Sequence, residues 1–364
     1  MMPVRPTNRS PRHATTRQLR RTWPALALLC VTTLLAACGG SGGGPGGESA
    51  DSSQPAEPPS SAASSSGSSA SADAFPATVT TAFGDVTVES EPQRVVALGW
   101  GDAETALELG VQPVGAADWL GYGGTGVGPW LEGAYSQPPE ILGTTEVDPE
   151  AVAALRPDLI LDTRSDGTQE RYDLLSQVAP TIGAPPDVGS FGTPWQAQLE
   201  MVGTALGRSD EAVEVREETT QALEEVASDH PSLDGATVAV GAFFDGGFGA
   251  YVDGDSRVEL LEALGMRNKP EIDELADGGF FVDVSRERLD LLDADATVMF
   301  AIGGDASDFA GDELYRDIAS VADDRDVVLD QPDIVNAFSS GTAPGVRFGA
   351  DEVGPRVAEV LDGG

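Results

Sequence analysis

Residues Ser209–His230 read SDEAVEVREETTQALEEVASDH, with Ala212, Val215, Thr219, Ala222, Leu223 and Val226 recurring at three- and four-residue intervals. That is the spacing of one helix face. No Gly or Pro interrupts the stretch, and Pro231 follows it, so the spacing predicts a helix that ends there. At 1.5 Å per residue it is roughly 33 Å long, enough to run across two packed lobes. The flanking sequence repeats itself. Glu150-AVAALRPDLILD and Glu287-RLDLLDADATVMF each read as a helix feeding a buried strand. Aligned without a gap, Glu150 meets Glu287, Leu155 meets Leu292, and Asp158 meets Asp295. The alternative is a surface helix of one domain. The repeated grammar favours two α/β lobes, each Rossmann-like with a mostly parallel sheet, joined by one long helix with a ligand cleft between them.

Working outward gives the other elements. Pro76 opens folded sequence, and ATVTTAFGDVTVES reads as a hairpin turning at Phe83-Gly84-Asp85. Strands are expected at Arg94-VVALG, Val111-QPVGAA, Leu159-ILD and Thr181-IGA, with helices at 102–109, 148–155, 169–177 and 194–206. Asp148 is the expected cap of its helix. In the second lobe the expected strands are Thr237-VAVGAFF, Phe248-GAYV, Thr297-VMFAI and Asp326-VVLD. Helices are expected at 256–264, 285–292 (capped by Ser285), 312–321 and 347–361. Strands rich in Val, Ile and Leu that alternate with helices imply parallel sheets covered on both faces.

The N-terminal region has a different composition. The first 37 residues hold six Arg and no acid, and Arg20-Arg21 precede the short apolar run WPALALLCVTTLLAA. This is a charged leader with an apolar segment too short to span a membrane. It ends in Leu35-Ala36-Ala37-Cys38-Gly39, which resembles the lipobox of bacterial lipoproteins. The resemblance implies cleavage before Cys38, lipid on that residue, and a location at the cell membrane on its extracytoplasmic face. General secretory and twin-arginine export both remain open. Residues 39–74 are Ser, Gly, Ala and Pro with a few acids, the composition of a tether reaching roughly 30–36 Å. The division is then signal peptide 1–37, tether 38–75, first lobe 76–206, connecting helix 207–232 and second lobe 233–364.

Residue counts exclude several classes. Cys30 lies in the leader and Cys38 at the cleavage point, so no disulfide or thiol chemistry is expected beyond them. Of the two His, His13 is in the leader and only His230 remains, where it reads as a charge partner for a helix end. A His- or Cys-based metal site is excluded, and no metal ligand or cofactor is expected. Without its leader the chain carries 15 basic residues against 60 acids, which argues against nucleic acid. The single Lys, Lys269, beside 20 Arg fits a GC-rich genome, and the acidity fits a saline habitat; neither bears on a ligand. There is no Gly-x-Ser-x-Gly elbow and no His for a Ser-His-Asp triad. Acid-pair hydrolysis stays open by residue type alone, and so does a purely structural surface lipoprotein.

Five segments carry a resemblance: Pro92-QRVVALGWGDAETALELGVQPVG, Glu150-AVAALRPDLIL, Val258-ELLEALGMR, Leu289-DLLDADATVMF and Asn336-AFSSGTAPGVRFGADEVGPRVAEVL. Together they resemble the iron-siderophore family of ABC-transporter substrate-binding proteins. The resemblance implies a monomer that captures a ferric siderophore, delivers it to a membrane permease for iron uptake, and catalyses nothing. Iron would be bound only through its siderophore. A corrinoid, haem or another metal chelate is the alternative ligand, although haem lacks a His or Cys here to hold it.

A ferric siderophore fills the metal's own coordination sphere, so its site needs flat aromatic walls and a few Arg donors. Ligands of open α/β sheets bind beyond the carboxyl ends of strands. The candidates there are Trp100, Trp119, Tyr122, Trp130 and Arg164 in the first lobe. In the second they are Phe243, Tyr251, Arg257, Phe338 and Ser339, with Phe244 beside Phe243. For Phe244 and Phe338 the competing role is lobe core. For Arg164 it is a surface ion pair with Asp162 or Asp166, and for Arg257 a pair with Glu259 or Asp253. In the resembling family one Glu on each lobe meets the permease, which implies Glu150 and Glu287; the simpler role is a favourable acid in a helix first turn.

Overall fold

The computed structural model describes residues 74–363. The signal peptide, Cys38 and the tether as far as residue 73 lie outside the described residues. A hairpin comes first, β1 (Ala77–Thr81) against β2 (Gly84–Val88). Thr81 pairs with Gly84, so the turn residues are Ala82 and Phe83, one position before the expected turn.

The first sheet comprises β3 (Val95–Ala97), β4 (Gly115–Ala117), β5 (Glu140–Leu142), β6 (Leu159–Leu161) and β7 (Thr181–Ile182). Its order is β5-β4-β3-β6-β7 and every pairing is parallel. The central strands β3, Val-Val-Ala, and β6, Leu-Ile-Leu, are buried throughout, as a sheet covered on both faces requires. β5 went unforeseen because Glu140-Ile-Leu is short and largely exposed.

The second sheet comprises β8 (Thr237–Phe244), β9 (Gly247–Tyr251), β10 (Arg267–Asn268), β11 (Phe281–Val284), β12 (Ala296–Ile302) and β13 (Asp326–Leu329). Its path is β11-β9-β8-β12-β13, with β10 also on β8. Pairings of β8 with β10 and β12, and of β12 with β13, are parallel; β8–β9 and β9–β11 are antiparallel. The chain thus reverses at Asp245-Gly246 and adds an antiparallel edge to a parallel centre.

The repeat seen in the sequence has a physical counterpart. Asp158, just before β6, accepts hydrogen bonds from the backbone N–H of Gln93 (2.9 Å) and Arg94 (2.8 Å) at the start of β3. Asp295, just before β12, accepts from the backbone N–H and hydroxyl of Thr237 (both 2.8 Å) at the start of β8. In both lobes one carboxylate registers the two central parallel strands.

The connecting helix is Ser209–Asp229, and it buries Ala212, Val215, Thr219, Leu223 and Val226; Ala222 is only half-buried. It packs against the helix Trp195–Leu206 of the first lobe and the closing helix Ala343–Asp362 of the second. Burial of a Leu or Val side chain contributes about 1.5–3 kcal/mol, so Leu223 and Val226 alone account for several. Thr219 donates to the Val215 carbonyl (2.8 Å) and accepts from Arg347 of the closing helix (2.7 Å), whose guanidinium also reaches Glu108 in the first lobe.

Three second-lobe helices differ from expectation. The closing helix begins at Ala343, four residues early, because Thr342 caps it and Pro344 is favourable in a first turn. The expected helix 312–321 is two single turns, Glu313–Arg316 and Ala319–Ala322. Residues Arg286–Leu292 form a 3₁₀ stretch broken at Arg288, and the Ser285 side chain makes no cap.

Candidate functional site

A cavity of about 530 Å³ opens where the carboxyl ends of the two sheets face each other. The first lobe lines it with Trp100, Trp119, Arg164 and Phe191. The second lobe lines it with Tyr251, Asp255, Arg257 and Ser339, and with the apolar group Phe244, Phe280, Phe281, Phe300 and Ile302.

Trp100 follows β3 and is held from several sides. Its ring is sandwiched by Trp119 (centroids 4.3 Å apart, 8° between planes) and Phe191 (4.1 Å, 25°). Its backbone N–H donates to the Arg164 carbonyl (2.8 Å), and its carbonyl accepts from Gln198 (2.9 Å). Its indole N–H is enclosed and has no acceptor among the described residues.

Beneath the stack lies Asp102, fully buried, which ties the ends of β3 and β6 together. Its carboxylate accepts from the backbone N–H of Gly99 (3.0 Å) and Thr163 (3.1 Å), from Gln198 (2.8 Å), and from the Thr163 hydroxyl. A side chain on Gly99 would sit 2.3 Å from that carboxylate, so only Gly fits. Burial, helped by the neighbouring Asp162 charge, pushes the Asp102 carboxyl up to about 6 despite the donors around it.

Arg164 lines the cavity, and it makes neither of the ion pairs weighed as its competing role. Asp162 is taken by Arg171, which clamps it with bonds of 2.7 and 2.9 Å. Arg164 is instead 5% exposed and reaches across to the second lobe. Its Nε donates to the Phe191 carbonyl (2.9 Å), Nη1 to the Ser340 carbonyl (2.9 Å), and Nη2 to the Ser256 hydroxyl (3.3 Å). Gly341, left-handed at φ 58° at the end of helix Pro332–Ser340, makes this approach possible; a Cβ there would stand 2.3 Å from Nη1. Burial lowers the Arg164 pKa, and the Asp255 charge opposes that effect.

Arg257 lies over the Tyr251 ring at 4.2 Å and donates from Nε to Ser339 (3.1 Å). Its acid is Asp255, two residues back, with Nη1 at 2.9 and 3.1 Å from the two oxygens. Neither Glu259 nor Asp253 fills that place, because Asp255 caps the helix Ser256–Ala263 and faces the same side. Burial works against the Arg257 charge, but Asp255 and Tyr251 outweigh it and the pKa rises. Glu259, half-buried nearby, is pushed up to about 7 chiefly by burial.

Four candidates lie away from the cavity lining. Tyr122 and Trp130 meet edge-on (5.6 Å) and gather around Glu104, which accepts from the Trp130 indole N–H (3.3 Å), the Gly128 N–H (2.9 Å) and the Thr342 hydroxyl. They serve a buried junction between the lobes, and burial raises the Glu104 pKa. Phe243 points to the core face, against Phe248 (5.0 Å) and Phe309 (6.1 Å), and its neighbour Phe244 is the one at the cavity, 56% exposed. Strand alternation decides this, since adjacent residues face opposite sides. Phe338 is fully buried, because residues 332–340 form a helix rather than a loop after the last strand; Ser339, one position on, does line the cavity.

Several lining residues were not anticipated. Phe300 and Ile302 end β12, and the strand-end rule applied there would have found them. Phe191, in a loop at φ 56°, and Phe280-Phe281 leading into β11 carry no sequence signal. Glu150 and Glu287 are both exposed and stand outside the cavity lining, each in the first turn of its segment. The site therefore offers flat aromatic walls, an apolar rim on one lobe and two guanidinium groups, a shape suited to a bulky ligand with flat faces.

Residues 95–332 match the profile of the periplasmic binding protein family. The chain belongs to that family. This periplasmic binding protein is 27% identical over 262 residues to the probable siderophore-binding lipoprotein YfiY of Bacillus subtilis, covering 67% of this chain and 77% of that one. It also resembles a solved periplasmic solute binding protein from Mycobacterium smegmatis at 27% identity and a TM-score of 0.67, covering 78% of this chain and 98% of the other. A third likeness, at 22% identity and a TM-score of 0.67 over 79% of this chain and 99% of the other, is to Streptococcus pneumoniae PiaA, solved in complex with ferrichrome; at that identity it speaks for the fold.

Proposed function

We propose that this periplasmic binding protein captures a ferric siderophore outside the cell and hands it to an ABC-type permease for iron uptake, without catalysing a reaction. The carrying observation is the stack of Trp119, Trp100 and Phe191 facing an aromatic and apolar wall across a cavity of about 530 Å³. Such walls suit the flat faces of a chelate whose iron is already fully coordinated, and the cavity falls within the ordinary range for small-molecule sites. The YfiY name supports the same cargo and a lipoprotein. Lipid on Cys38 would then hold the protein at the membrane, and no helix among the described residues is long and apolar enough to cross it. Exposed Glu150 and Glu287, one on each lobe, are the proposed contacts with the permease.

Titration with ferric hydroxamates, catecholates and carboxylates, read by tryptophan fluorescence, tests this. At least one class should quench saturably. Trp100→Ala should weaken that binding about tenfold or more and shrink the signal, since an aromatic pair contributes about 0.5–1.5 kcal/mol beyond the area it buries. No quenching by any class overturns the reading.

A further inference from the structure

The charged side chains at the cavity are Arg164, Arg257 and Asp255. On the ferric-chelate reading above, the cations look like receptors for an anionic ligand, but their donors are largely occupied. Arg164 gives Nε, Nη1 and Nη2 to the Phe191 carbonyl, the Ser340 carbonyl and the Ser256 hydroxyl. Arg257 gives Nε to Ser339 and Nη1 to both oxygens of Asp255, with its face covered by Tyr251. One charge of the two is cancelled inside the site, at 2.9 Å.

We propose that Asp255 is a specificity-determining residue: by closing an ion pair on Arg257 it leaves the cavity suited to a neutral or cationic ferric chelate with apolar flanks, and unsuited to a polyanionic one. The remaining lining agrees. Phe244, Phe280 and Ile302 are 56%, 38% and 40% exposed at the second-lobe rim, where they meet apolar ligand surface and give an anion nothing. The chain's formal net charge of −39 adds a repulsive background for anions. Asp255 is 4% exposed and its other oxygen function is to accept the Arg257 backbone N–H (2.9 Å) as a helix cap. Asn caps as well as Asp, so charge and cap can be separated.

The test measures the dissociation constants of ferrichrome, a neutral trihydroxamate, and of ferric enterobactin, a trianionic triscatecholate, for the wild type and Asp255→Asn. The wild type should prefer ferrichrome. Asp255→Asn should tighten ferric enterobactin relative to ferrichrome by about tenfold or more, the order expected when one charge-assisted pair becomes available. If Asp255→Asn does not fold, Asp255→Ser keeps the cap and serves the same purpose. A wild-type preference for ferric enterobactin, or a variant that changes both constants alike, overturns the role of Asp255 while leaving ferric-chelate capture standing. Failure of both chelates to bind, together with every class in the wider panel, removes the capture reading and this inference with it.

Discussion

Asp158 in the first lobe and Asp295 in the second do the same task. Each stands just before the second central strand and accepts two hydrogen bonds from the start of the first. At the opposite ends of those strands the lobes diverge. The first lobe ties its strand ends with the buried carboxylate of Asp102 and stacks three aromatic rings above it. The second leaves Phe244 and Ile302 bare at its strand ends and sets one closed ion pair, Asp255–Arg257, beside them. The amino ends carry the repeat that builds two sheets; the carboxyl ends are free to differ and make the two walls of one site unlike.

The largest expected effect would break the symmetry outside the cavity. Glu150→Ala with Glu287→Ala should abolish iron-chelate uptake in cells while ligand affinity in solution stays unchanged. Each single variant should lose less, and surviving uptake in the double variant would reduce both to ordinary first-turn acids.

Arg164→Ala tests whether the lobes depend on one another. Its guanidinium joins the Phe191 carbonyl of its own lobe to the Ser340 carbonyl and Ser256 hydroxyl of the other. Hydrogen bonds to a charged group contribute about 1.5–3 kcal/mol, so a loss of about 3 kcal/mol is expected. For a fold of this size, with an unfolding entropy of about 2.1 cal/mol/K per residue, that lowers Tm by about 5 °C. Calorimetry of the ligand-free protein checks this, and an unchanged Tm would make Arg164 a ligand donor instead.

Asp102→Asn sharpens the contrast between the carboxyl ends. The Asp102 pKa is raised from 3.8 to about 6 by burial, so the folded state keeps a proton that the unfolded chain has already lost. That contribution is fully present below pH 4 and is lost as the pH rises through 6. The shift corresponds to at most about 3 kcal/mol. The stability of the wild type relative to Asp102→Asn should therefore fall by up to that amount between pH 4 and 6.5, measured by urea unfolding. A pH-independent difference would mean the carboxylate is ionised throughout.

The smallest effects should be equal ones. Asp158→Ala and Asp295→Ala each remove acceptors for two donors and should cost about 1–2 kcal/mol. Unequal losses would mean that only one lobe relies on its strand-start carboxylate.

Much of this architecture was legible in the chain because it rests on local periodicity. The run 209–230 has one apolar face and a Pro behind it, and it is a helix from Ser209 to Asp229. Thr237–Phe244 is a strand with the bounds its sequence suggests. The gapless match of Asp158 with Asp295 marked two residues with the same hydrogen-bonding task. Trp100, Trp119, Tyr251, Arg257 and Ser339 were reachable as strand-end or loop residues near a sheet's carboxyl edge, and they line the cavity. Which way a side chain faces at that edge was not legible. Phe243 and Phe244 differ only by the phase of the strand, and Phe338 by a helix where a loop was expected. The partner of each charge was also out of reach. Arg164 had acids at hand two residues away on either side, yet it turns from both to carbonyls some 176 residues on, because Arg171 already holds Asp162 and the second lobe closes over it. Periodicity reports what a segment buries; only the packed lobes decide which donors remain once the interior has taken its share.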